Sequence, residues 1–176
     1  MKEKLNKTRT IIGLTLKVGP LGENDRLLTL LNDDEGLTRI AVPGARRPKA
    51  RFAGAIPLTL LKLEVFTGRG LPKVKDLKHL KTFNKLAGTL EALAGAQALV
   101  ELTLMLVSTG DPIPGLLKTL LLHLERLEKY SLEEQCIPSL KTVASTVQAS
   151  VHLLALGGYG LPLQRCCLSG TNLDPP

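Results

Sequence analysis

Tryptophan is absent from this chain, and its aromatic residues are only Phe52, Phe66, Phe83, Tyr130 and Tyr159. Base stacking contributes about 1–3 kcal/mol per base where an aromatic platform exists, so here it is expected to be a small part of any nucleic-acid contact. Cysteine is scarce and odd in number (Cys136, Cys166 and Cys167), which argues against a disulfide-framed secreted scaffold. No run of 18 or more apolar residues occurs, and the chain opens on the polar MKEKLNKTRT, without an apolar signal segment. The expectation is a soluble, cytoplasmic protein with no membrane contact. There is no GxxxxGK[ST] phosphate loop, so a nucleotide-driven motor is not expected. The three histidines, His79, His123 and His152, are scattered, and Ser139, Ser145 and Ser150 lack a nucleophile-elbow context. Asp33, Asp34 and Glu35 read as a solvated hairpin tip rather than a Mg²⁺ site. Nothing here recommends an enzyme, a cofactor or a metal.

Acidic residues are scarce where it matters most. Residues 1–80 carry sixteen Lys and Arg against eight acids, whereas residues 81–176 carry seven against eight. The whole +7 excess therefore sits in the first half, the distribution of a localised nucleic-acid footprint. Its densest part is Pro43 to Gly54, PGARRPKARFAG, with Arg46, Arg47, Lys49 and Arg51 inside six residues. Gly44 and Pro48 punctuate that stretch, so it fits neither a continuous helix nor a central strand. The plain alternative is that these charges only solvate a surface loop. Arginine offers a rigid fork to phosphate oxygens and lysine a flexible point charge. Four phosphate contacts would give a log–log salt slope of roughly −3 to −4. Arg26, Arg39 and Arg69 are further candidates for the same surface. The expected chemistry is backbone-dominated, sequence-independent binding of single strands and duplex.

The flanking pattern predicts strands. Ile11 to Val18 places Ile12, Leu14, Leu16 and Val18 on one face, and GPLGEN (19–24) supplies a turn. Arg26 to Leu31 and Leu37 to Val42 follow, separated by the turn signal NDDEG. After the basic loop, Ile56 to Phe66 puts Leu61, Leu63 and Val65 on one side, and Leu71 to Leu80 supplies a fifth strand. Five short strands of this kind describe a small closed barrel, an OB-fold or alternatively an SH3-like one. From Phe83 the period changes to three and four. Leu86, Leu90, Leu93, Ala94, Gln97 and Val100 predict one helical face. Asp111-Pro112 is a plausible start for a second helix, whose face is Leu116, Leu117, Leu120, Leu121, Leu124 and Leu127. A third, from Pro138 to Gly157-Gly158, carries Leu140, Val143, Ala144, Val147, Val151 and Leu154. The fold class expected is α+β: an OB-fold barrel over 1–80, an α-helical domain over 81–160, and a weakly structured tail over 161–176.

Gly22-Glu23-Asn24-Asp25-Arg26 with Leu27 to Leu31, Glu35-Gly36-Leu37, and above all Gly44-Ala45-Arg46-Arg47-Pro48-Lys49 with Arg51-Phe52-Ala53-Gly54 add a likeness to these readings, which continues through Pro57-Leu58. These stretches resemble the RecO family of bacterial recombination mediators, closely over residues 8–80 and loosely over the helical half. The resemblance implies an N-terminal OB-fold and a helical domain. It also implies binding of single- and double-stranded DNA, strand annealing, partnership with RecR and SSB, and help in loading RecA onto SSB-coated DNA. One departure stands at the end. Many members have a four-cysteine zinc module opening C-x-x-C-G, whereas Cys166-Cys167-Leu168-Ser169-Gly170 offers Ser169 at the second position, and no later C-x-x-C follows. Four-ligand tetrahedral zinc cannot be built from such a set in one chain. This CCLS variant resembles the degenerate module of cyanobacterial members, and the chain is shorter than the family's usual length, as a truncated, split or frameshifted member would be. The rival expectation is a protein-interaction module whose barrel has lost DNA binding; a third is an RNA-binding barrel.

Overall fold

The computed structural model describes residues 7–47, 52, 55–68, 70–132, 138–162, 164–165 and 168–172. Five strands come first: β1 (Lys7–Leu21), β2 (Asp25–Asn32), β3 (Gly36–Val42), β4 (Thr59–Thr67) and β5 (Lys73–Thr82). They close into a barrel in the order β1-β2-β3-β5-β4, the five-stranded OB-type arrangement. β1 is long enough to pair with β4 through its first half and with β2 through its second, with a bulge between Thr15 and Lys17. Closure between β3 and β5 is narrow. It rests on the parallel pair Ala41 and Lys73, and on the Ala41 amide donating to the Pro72 carbonyl at 2.8 Å.

The alternation expected on β4 holds, since Leu61, Leu63 and Val65 are buried while Lys62 and Glu64 are exposed. They join Ile11, Leu28, Leu30, Ile40, Val42 and Val74 in the barrel interior. On β1 the expected face divides. Leu14 and Leu16 point away from that interior, into a second core shared with the helices, while Ile12 is 49% exposed and Val18 packs on the barrel interior. The bulge turns Val18 inward, because an extra residue reverses the in-and-out alternation beyond it. Ile12 lies on the same outer side as Leu14 but outside the core shared with the helices.

A 3-10 turn (Asn84–Gly88) leads into α1 (Leu90–Leu106), followed by α2 (Leu116–Leu132) and α3 (Pro138–Leu156). The Thr89 hydroxyl caps α1 by accepting from the Ala92 amide. Asp111-Pro112 does not start α2; Asp111 instead bridges Ser108 in the connecting loop, and the helix begins after Gly115. α2 buries Leu116, Leu117, Leu120, Leu124 and Leu127, as its spacing predicts. The other two helices present different faces from those expected. α1 buries Ala92, Gly95, Ala96, Leu99, Val100 and Thr103, leaving Leu90 and Leu93 outside. α3 buries Thr142, Ser145, Ala149 and Leu153, while Leu140, Val143 and Val147 are exposed. The physical reason is that α1 is apolar nearly all round and α3 mixes small polar with apolar residues around its circumference, so periodicity alone does not choose a side. In α2 the charged residues mark the solvent face.

Candidate nucleic-acid interface

The basic stretch leaves β3 through Pro43 and Gly44, the latter at φ 65°, a left-handed conformation that glycine adopts without strain. The Gly44 amide donates to Asp25 Oδ1 at 2.8 Å, and the Arg47 amide closes a turn onto the Gly44 carbonyl at 3.1 Å. Arg46 is fixed twice to the β1–β2 turn. Its amide donates to the Asn24 carbonyl (2.9 Å), and one guanidinium nitrogen donates to the Gly22 carbonyl (3.0 Å). The loop start and the hairpin turn therefore form one scaffold that presents the arginine. Arg26, at the start of β2, reaches the Ala55 carbonyl with a long 3.4 Å contact. The Ala55 amide in turn donates to the Phe52 carbonyl (3.2 Å). Ala45 and Ala55 are buried in the barrel interior, with Phe52 packed beside them. The loop's described apolar residues thus pack on one end of the barrel interior while Arg46 and Arg47 remain outside.

Arg26 and Arg46 together line an open cleft of about 420 Å³, walled by Val18, Gly19, Pro20 and Pro57. Both guanidinium groups bond to backbone carbonyls, and among the described residues no carboxylate takes up their other N–H donors. The acid nearest in sequence, Asp25, spends its carboxylate on the Gly44 amide. Such a cleft favours an anion with several acceptor oxygens. Among the described residues the ion pairs are Arg9–Glu35, Lys75–Glu64 and Lys81–Glu125, and none engages Arg26, Arg39, Arg46 or Arg47.

The sequence candidates do not all converge there. Arg26 and Arg46 are brought together, and Arg47 is exposed beside them. Arg39 is exposed on the outer side of β3, opposite Thr29 on β2, and does not line the cleft. Lys49, Arg51 and Arg69 lie outside the described residues, as do Cys136, Cys166 and Cys167. Among the described residues no cluster of three or more His, Cys, Asp or Glu is placed to hold a metal ion. Sequence reasoning missed the lysines of β5. Lys73, Lys75 and Lys78 are exposed on that strand, and Lys73 sits directly across from Phe66 on β4. The available signal was the alternation of Lys73, Val74 and Lys75, whereas their place opposite β4 is set by strand register.

A second hollow, between α1 and α3, has a different character. It is about 420 Å³, is lined mainly by Leu90, Ala94, Ala98, Val143 and Val147, and contains no cation. Among the described residues no helix is long and apolar enough to cross a membrane.

Family models match almost the whole chain: "Recombination protein O N terminal" over residues 7–83, and "Recombination protein O C terminal" over residues 87–176. A protein named DNA repair protein RecO from Prochlorococcus marinus (strain MIT 9303) is 62% identical over 168 residues. That alignment covers 96% of this chain and 62% of the relative. The protein of the same name from Synechococcus sp. (strain WH7803) is 57% identical over the same shares. The one from Trichodesmium erythraeum (strain IMS101) is 32% identical over 93% of this chain and 57% of its own length. The chain thus spans about three fifths of the length of these relatives.

Proposed function

This chain belongs to the recombination protein O family, and from that membership we propose that it acts in DNA repair by holding DNA without catalysing a reaction on it. The observation that carries the reading is the mouth of the barrel, where Arg26 and Arg46 face an open cleft with no carboxylate among the described residues paired to either. Arg47, Lys49 and Arg51 extend the cationic loop, with Arg39 and Arg69 as outlying phosphate contacts. Residues 1–80 then serve as the DNA-holding unit, residues 81–160 as scaffold and protein-contact unit, and residues 161–176 as the remnant of a zinc module. The activity that suits this chemistry is annealing of complementary strands and assistance to RecA on SSB-coated single strands, in the cytoplasm. RecR and SSB are the partners in that reading.

The test is fluorescence anisotropy with labelled oligonucleotides of unrelated sequence, comparing the parent with an Arg26→Gln/Arg46→Gln variant. Charge-assisted hydrogen bonds contribute about 1.5–3 kcal/mol each, so the double variant should bind at least about tenfold more weakly on every sequence. Its log–log salt slope should also shrink by about 0.7 per lost phosphate contact on a single strand. An unchanged affinity in a variant with parental circular dichroism would refute the assignment. Annealing of SSB-coated strands, run alongside, tests the mediator role itself.

A further inference from the structure

Of the three phenylalanines, Phe83 is 2% exposed and Phe52 packs on the barrel interior, but Phe66 is 40% exposed on the outer side of β4. A large ring on solvent needs a reason, and its neighbours suggest one. Strand pairing runs a row across the outside of the barrel: Ala41 on β3 faces Lys73 on β5, and Lys73 faces Phe66 on β4. Arg39 lies two residues before Ala41, hence on the same side of β3. The Lys75 ammonium stands 5.6 Å from the centroid of the Phe66 ring and 3.7 Å from Glu64 Oε2. From Arg39 to Phe66 is about 12 Å between Cα atoms by strand spacing. Further along the strands Glu64 stands opposite Asp76, and beyond that pair Lys62 stands opposite Lys78.

We propose that the DNA path leaves the barrel mouth and crosses β3, β5 and β4 along Arg39, Lys73 and Phe66, with one base of a single strand stacked on the Phe66 ring. This rests on the DNA-binding reading above. A cation beside an exposed ring is the combination that single-strand binders use, the lysine meeting the backbone and the ring the base. Only an unpaired, unstacked base has a free face for that ring, since duplex neighbours occupy it. The consequence is a preference for single strands that phosphate contacts alone do not give. It also assigns stacking a larger share of binding than the small number of aromatic residues suggests.

Because the chain has no tryptophan, Phe66→Trp installs a single indole reporter at the platform. Its fluorescence should be quenched on adding oligo-dT, and should stay unchanged on adding duplex bound to the same extent by anisotropy. Phe66→Leu, which keeps apolar bulk but no ring, should lose about 5- to 100-fold in single-strand affinity. Its duplex affinity and its salt slope should remain parental. An indole that does not respond while anisotropy reports bound oligo-dT, or a Leu variant weakened equally on both DNA forms, overturns the stacking path and leaves the mouth assignment standing. Absence of any DNA binding by the parent removes both.

Discussion

His123 is 2% exposed, and its Nε2 lies 3.2 Å from Nδ1 of His152 on the neighbouring helix, with the rings nearly perpendicular. Its own Nδ1 is buried and has no partner among the described residues. A proton on Nδ1 would be a stranded donor, so the neutral tautomer that donates from Nε2 to His152 suits the site. Burial first, then the nearby Arg126 and His152, push the His123 pKa below its usual value. Arg126 itself is tied to Gln148 Oε1 at 2.7 Å. The sign follows from proton counting: below about pH 6.5 the unfolded chain takes up a proton at this residue before the folded one does. Stability should therefore fall as pH drops from about 7 toward 5. His123→Gln keeps an N–H donor for His152 and cannot titrate. Thermal unfolding across this range should be flatter for that variant, and equal slopes for variant and parent would refute the account. Glu35 acts at lower pH. Hydrogen bonding from Arg9, aided by Thr38, holds its carboxyl below the usual range, so its contribution is present above about pH 4.3 and is lost on further acidification. Both partners are about one-third exposed, which keeps that contribution modest.

At the scale of elements, the β2–β3 hairpin is what docks the barrel onto the α1–α2 connection. The Gly110 amide donates to the Glu35 carbonyl at 2.9 Å, and the Leu37 amide reaches the Ser108 carbonyl at 3.4 Å. Gly36 makes the approach possible. Its φ is 66°, and a Cβ there would stand 2.8 Å from the Ser108 carbonyl oxygen and 2.9 Å from that of Asp111. Backbone cannot move aside cheaply, so Gly36→Ala should cost about 2–4 kcal/mol in denaturant unfolding. A variant within 0.5 kcal/mol of the parent would show that the hairpin is not clamped (about the scatter of an ordinary surface change). A second tie joins β5 and the 3-10 turn after it to α2, where Lys81 Nζ and Glu125 Oε1 are 2.6 Å apart and the Ser131 hydroxyl donates to the Lys85 carbonyl at 3.1 Å.

Across the whole molecule, the larger core does not respect the boundary between strands and helices. Leu14 and Leu16 of β1, Leu31 of β2 and Leu37 of β3 pack in one cluster with Leu99, Leu116, Leu120, Leu124 and Leu153 of the helices. A shared core couples the two halves in folding even where their roles differ. Calorimetry should accordingly show one cooperative transition, with calorimetric and van't Hoff enthalpies in agreement. Two resolved transitions would mean that the barrel and the helices fold independently. The mouth proposed to face DNA and the row through Phe66 lie on the barrel, and the hollow of α1 and α3, with no cation among its described lining residues, lies on the helices. On the proposed reading, DNA contact and apolar contact fall on separate parts of the chain.

Much of this was legible in residue order. Strand and helix periods, the turn at NDDEG, the α2 stripe and the cationic run after Pro43 are properties of neighbouring residues, and local physics fixes them. Three things belong to the tertiary structure. Which side of α1 and α3 is buried depends on what packs there, because α1 is apolar on nearly every side and α3 mixes small polar with apolar residues all round. The fate of Ile12 depends on a barrel whose outer face the helices cover only in part. The meeting of Arg26 with Arg46, and of Lys73 with Phe66, joins residues 20 and 7 positions apart through strand register and loop docking. No periodicity contains that information, since register and docking are set by contacts between segments and not by order within one.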